Sequence, residues 1–138
     1  MKRLHLICNA HLDPIWQWEW EEGAAAALST FQSAANLAEK YDYIFCHNEV
    51  NLYKYTEKYA PALFAQIQKL VKQGKWHIMG GWYLQPDCLM PSGEGMLRQI
   101  REGELYFKEK FGVMPTTAVN FDPFGHSRGL VQILKKCG

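Results

Sequence analysis

A chain of 138 residues that is 48% hydrophobic is the size of one ordinary domain and can bury a single sizeable core, which excludes intrinsic disorder. Its formal net charge of +1, with 15 basic and 14 acidic residues interspersed, offers no broad field to draw in nucleic acid or an anionic membrane. No apolar run reaches membrane-spanning length.

The start, MKRLHLICNAH, has a short apolar run broken by His5 and Asn9, and reads as a first strand over residues 3 to 9 rather than a signal peptide. A helix is expected from about residue 22 to 40, where Leu28, Phe31, Ala35 and Ala38 recur at helical spacing. Tyr43 to Cys46 is a second short strand. The long helical pattern after it puts Leu63, Ile67 and Leu70 on one face, with Pro61 suited to a fresh start and Gly74 to the stop. Trp76 to Met79 is a third strand, followed by a loop holding Gly80, Gly81, Pro86 and Pro91. Ser92 then caps a helix with Leu97, Ile100, Phe107 and Phe111 inward, closed by Gly112. Thr116 to Phe121 predicts a fourth strand, and after the DPFGH turn Ser127 can cap a helix whose apolar side is Leu130, Ile133, Leu134 and Cys137.

Strands alternating with crossover helices predict an α/β fold on a parallel sheet. The chain ends where a helix hands over to a next strand, so it is expected to be a fragment with one sheet edge unpaired. Cys8, Cys46, Cys88 and Cys137 form no CxxC pair and sit in or beside apolar segments, so they read as reduced core thiols in a cytoplasmic protein.

In such sheets the loops leaving the carboxyl ends of strands carry the chemistry. Those loops hold His11, Asp13 and Trp16; His47, Asn48 and Glu49; Gly81, Trp82 and Asp87; and Asp122, His126 and Ser127. If the first strand persists to Asp13, His11 and Asp13 emerge on the same side and can converge on one ion. Asp122 adds a carboxylate at the equivalent end of another strand, and mixed imidazole and carboxylate ligation suits Zn²⁺ or a similar divalent ion. Structural readings stand beside these: a helix N-cap for Asp13, a turn-forming residue before Pro123 for Asp122, and a packed indole for Trp16. The crowding of Trp16, Trp18 and Trp20 fits either core packing or a platform for sugar rings.

The strings HLDPIWQW, GGWYLQPDCLMPSGEGMLRQ, YFKEKFG and NFDPFGHS, in that order across essentially the whole chain, resemble the amino-terminal region of glycoside hydrolase family 38, the α-mannosidases. The resemblance implies a partial parallel β/α barrel, about four strand-helix units of a seven-stranded one, with residues 1–138 the incomplete amino-terminal portion of the catalytic domain. It implies His11, Asp13 and Asp122 as zinc ligands, Asp122 also as catalytic nucleophile, and Trp16 as the indole that stacks on mannose. Trp82 and Asp87 are further candidate substrate contacts, while His47 and His126 are read as structural. A second histidine as fourth ligand and an aspartate as general acid are expected beyond residue 138. The expected reaction is zinc-assisted hydrolysis of terminal α-linked mannose with retention, on an α-mannoside glycan and with no nucleic-acid or membrane partner. The isolated chain is expected to be weak or inactive, and a homo-oligomeric state stays open. Two alternatives are a non-catalytic carbohydrate- or metal-binding remnant and a metal-dependent deacetylase on a related barrel; the DPFGHS string favours the mannosidase over the deacetylase.

Overall fold

Helices dominate the architecture and a small parallel sheet organises them. A computed structural model describes residues 2–138. In chain order the elements are α1 (Trp20–Lys40), β1 (Phe45–His47), α2 (Val50–Tyr59), α3 (Pro61–Lys72), β2 (Trp76–Ile78), α4 (Gly93–Phe111) and α5 (Arg128–Cys137). β1 and β2 pair in parallel with Phe45 opposite Trp76 and His47 opposite Ile78. Both strands point one way because α2 and α3 return the chain between them, as a parallel pair requires.

The helix boundaries follow local chemistry. α4 begins where the Ser92 hydroxyl accepts from the Gly95 N–H at 3.1 Å, and ends at Gly112 in the left-handed region, φ 70°. The helical stretch after β1 is two helices, because Pro61 has no N–H to continue α2 and instead opens α3 at its first turn, as its position suggested. α2 has an unusual start: the N–H groups of Val50 and Asn51 donate to the carbonyls of Trp82 and Tyr83 at 3.1 and 2.9 Å. Donors that a helix leaves unpaired at its first turn are thus satisfied by the loop after β2.

The main core lies between α1, the sheet, α2, α3 and α4. Phe31, Tyr53, Trp76 and Phe107 are fully or almost fully buried there, with Phe31 edge-on to Trp76 at 5.3 Å. α1 approaches through small residues, Ala24, Ala27, Ala34, Ala35 and Ala38. A second cluster holds Trp82, Cys88, Met96, Ile100 and Leu130 beneath α5.

Four expectations from sequence need correction. Residues 3 to 9 contribute one parallel bridge, Cys8 to Phe45, and no strand; Leu4, Leu6 and Ile7 have no neighbour to cover them and are 83%, 83% and 71% exposed. Thr116 to Phe121 forms no strand either, its link to the sheet being the Gly80 N–H to Thr117 carbonyl bond of 2.9 Å. β-propensity fills a strand only where a partner ladder is available. Leu97 points outward at 42% exposure because it lies off the stripe of Met96, Ile100, Gly103 and Phe107. Of the four cysteines only Cys88 is buried; Cys46 and Cys137 are half-buried and Cys8 is exposed on the bare flank of β1. The fold shown is therefore mixed α/β with a two-stranded parallel sheet among the described residues. Among them, no helix is long and apolar enough to cross a membrane.

Candidate active site

The loop before α1 is pressed onto that helix. Gly23 makes this approach possible, since a Cβ at that position would lie 2.0 Å from the Pro14 carbonyl oxygen. The Trp18 indole N–H donates to the Asp13 carbonyl at 3.2 Å and fixes the turn from the other side. Asp13 is thereby held facing His11, whose Nε2 lies 3.3 Å from Asp13 Oδ1. Asp13 does not cap α1, whose N-cap is Glu19.

Asp122 comes to the same place from the far end of the chain. Its Oδ2 is 3.9 Å from His11 Nε2, and its backbone has φ 49°, a conformation that aspartate tolerates better than most residues. The segment that carries it is stitched to the loop after β2. Gln85 accepts the Phe121 N–H at 2.6 Å and donates its own amide to the Phe121 carbonyl. Asn120 donates to Cys88 Sγ at 2.8 Å. His11, Asp13, Trp16, Gln85, Asp87 and Asp122 all line one open cavity of ≈ 310 Å³.

Behind this cavity, the last residue of β1, His47, and the two that follow it, Asn48 and Glu49, are polar and buried, at 0%, 2% and 3% exposure. Glu49 Oε1 accepts the Gln85 backbone N–H at 3.1 Å. Burial pushes the Glu49 carboxyl up to about 7, with the negative charge of Asp13 adding to the effect and the Gln85 bond opposing it. His47 stands edge-on to Phe31 at 4.9 Å. Burial pushes its imidazole down to about 3, with the Ala10 backbone nearby opposing. The Ala10 contact falls short of hydrogen-bond geometry, so both ring nitrogens lack a partner among the described residues.

The sequence candidates sort clearly. His11, Asp13 and Asp122 are brought together, with the 63% exposed Trp16 and with Asp87 on the rim. Trp82 is not with them: it is 1% exposed, packed in the smaller core, with its indole N–H donating to the Val119 carbonyl at 3.0 Å. As placed, it has no free face for a sugar ring. His126 is exposed and outside the cavity lining. Gln85 gives no signal in the sequence, because a neutral side chain in a loop carries no spacing or charge pattern.

Two ligands of a tetrahedral zinc site with bonds of about 2.0 to 2.1 Å stand about 3.3 Å apart. His11 and Asp13 meet that separation, while Asp122 is wider at 3.9 Å. No group of three His, Cys, Asp or Glu side chains closes fully on a metal position among the described residues. The donor types, one imidazole and two carboxylates beside an open cavity, are of the kind a divalent ion takes.

The glycosyl hydrolases family 38 N-terminal domain matches residues 1–138 of this sequence. The chain belongs to that family. Among curated relatives, α-mannosidase 2C1 of Mus musculus is 30% identical over 136 residues, which are 98% of this chain and 13% of the relative. α-Mannosidase G of Dictyostelium discoideum is 27% identical over 99% of the chain and 13% of its own length. This family 38 chain thus spans about 13% of the length of those relatives. The crystal structure of an α-mannosidase from Enterococcus faecalis V583 superposes with a TM-score of 0.86 at 21% identity, over 95% of this chain and 15% of that one. A 4-α-glucanotransferase from Thermococcus litoralis superposes at 0.67 and 17%, over 96% of this chain and 20% of that one. The family 38 fold is therefore shared beyond one activity, and function has to be argued from the site.

Proposed function

We propose that this chain supplies the nucleophile and part of the metal shell of a retaining α-mannosidase. The observation that carries the reading is the convergence of His11, Asp13 and Asp122, from opposite ends of the sequence, on one side of a cavity that also presents Trp16.

Asp122 Oδ attacks the anomeric carbon of a terminal α-mannoside, forming a carbon–oxygen bond as the bond to the leaving oxygen breaks. The leaving oxygen takes its proton from a second carboxyl, about 5 to 5.5 Å from the first in retaining enzymes. The family resemblance assigns that carboxyl to residues other than those present here. Water then cleaves the glycosyl ester on Asp122 and the configuration is restored. Trp16 offers an apolar face against which the sugar can be held in line for attack. His11, Asp13 and Asp122 would hold the divalent ion, which when bound supplies positive charge to sugar hydroxyls. The parallel pair, the parallel bridge at Cys8 and the structural likeness support a wider proposal: these elements are part of a β/α barrel completed by further strands.

The test uses the full-length gene product. Metal content and hydrolysis of an aryl α-mannoside are measured for wild type and Asp122→Asn. One divalent ion per chain with turnover in wild type, and turnover abolished in Asp122→Asn, supports the reading. Equal turnover in both proteins overturns it.

A further inference from the structure

The two non-glycine residues with positive φ among the described residues are Glu49, at 32°, and Asp122, at 49°. They lie at the two ends of one hydrogen-bonded path. Glu49 Oε1 holds the Gln85 backbone N–H, and the Gln85 side chain holds both backbone polar groups of Phe121, the residue before Asp122. Residues in sparsely populated backbone conformations persist only where their surroundings over-determine them, and they gather at functional sites. Here the over-determination is visible. The Gln85 amide meets Phe121 as a neighbouring strand would, in a segment that forms no strand. From Phe121 the chain turns directly into the left-handed conformation that aims Asp122 at His11.

From this we infer that Gln85 is a positioning residue for Asp122: its side-chain amide sets the backbone from which the Asp122 carboxylate projects, and Glu49 anchors Gln85 in turn. The inference rests on the reading of Asp122 as metal ligand and nucleophile. Gln85 lines the cavity, but both polar atoms of its side-chain amide are engaged with the Phe121 backbone, so it acts on Asp122 through Phe121. Glutamine suits the task because one planar group carries a donor and an acceptor and can meet an N–H and a C=O at once. Groups that orient metal ligands typically change affinity or activity by about 10 to 100-fold when removed.

The test compares wild type, Gln85→Met, which keeps length but removes both bonds, and Asp122→Asn, all as full-length gene product. Each is titrated with Co²⁺ by visible absorption and assayed with an aryl α-mannoside, with Tm measured alongside. The expected result for Gln85→Met is a fall in kcat of about 10 to 100-fold with KM changed by less than about threefold, and an altered Co²⁺ spectrum per bound ion. A merely structural loss would lower the folded fraction and leave the spectrum per bound ion unchanged. If Gln85→Met matches wild type in kcat and spectrum while Asp122→Asn is inactive, the positioning role is overturned and the reading of Asp122 stands. If Asp122→Asn itself turns over normally, that reading fails and the positioning role falls with it. Should Gln85→Met not fold, Gln85→Glu keeps the acceptor for the Phe121 N–H and loses the donor; it is expected to show the same spectral change, and wild-type behaviour there overturns the inference.

Discussion

The carboxylate of Glu49, just past the end of β1, accepts the backbone N–H of Gln85 at 3.1 Å across 36 positions of sequence. A buried carboxyl in that position prefers its proton, and its ionisation is displaced from an ordinary 4.5 to about 7. The folded state then binds more protons than the unfolded one between those values. The stability Glu49 contributes is complete below about pH 4.5 and is lost as pH rises through about 7, by an amount on the order of 3 kcal/mol. His47, pushed down from 6.5 to about 3, has the opposite sign: its contribution is complete above 6.5 and lost as pH falls toward 3. The two oppose one another in mildly acid solution, so the wild-type curve alone does not separate them. Glu49→Gln does, since it abolishes the loss on the alkaline side. The Tm of Glu49→Gln is expected to gain on wild type between pH 5 and pH 8, and parallel curves would sink the assignment.

Trp16 and Trp82 are expected to respond in opposite ways. Trp16 is 63% exposed, so Trp16→Ala should leave Tm nearly unchanged and raise KM for an α-mannoside. Trp82 is buried and donates to Val119, so Trp82→Ala should cost about 3 to 5 kcal/mol in denaturant unfolding. Comparable stability losses in the two variants would contradict this division of labour.

Gly23 and Gly103 are tight for reasons of approach, and they report on different parts of the molecule. A Cβ at Gly103 would meet the Gly81 carbonyl oxygen at 1.9 Å, where α4 lies against the loop after β2. Gly103→Ala is expected to cost about 1 to 3 kcal/mol or more. A Cβ at Gly23 would displace the backbone beside Asp13, so Gly23→Ala should lower divalent-ion affinity as well as stability. Isothermal titration with Zn²⁺, set beside thermal unfolding, checks this; unaltered affinity in Gly23→Ala would show that the loop is not held by helix contact.

Ser92 offers a comparison away from the site. Its hydroxyl caps α4, and Ser92→Ala should cost about 1 kcal/mol with no change in metal affinity or in the pH dependence of turnover.

What the sequence alone determined was local. Helical spacing marked α1 and α4, Ser92 and Gly112 marked the ends of α4, and Pro61 marked the start of α3, because capping and ring constraints act within one turn of the residue that imposes them. The grouping of His11, Asp13 and Asp122 was suggested by the motifs around them, which are written in the chain itself, although neither segment leading to them forms a strand. Only the tertiary structure decided which apolar segments became strands, for a ladder needs a partner that Leu4 and Leu6 do not have here. It decided that Trp82 is core and Trp16 is surface, although both are loop tryptophans by sequence. It alone revealed Gln85, because a side chain that works by pairing with the backbone of a residue 36 positions away leaves no periodicity, charge or spacing for the sequence to show.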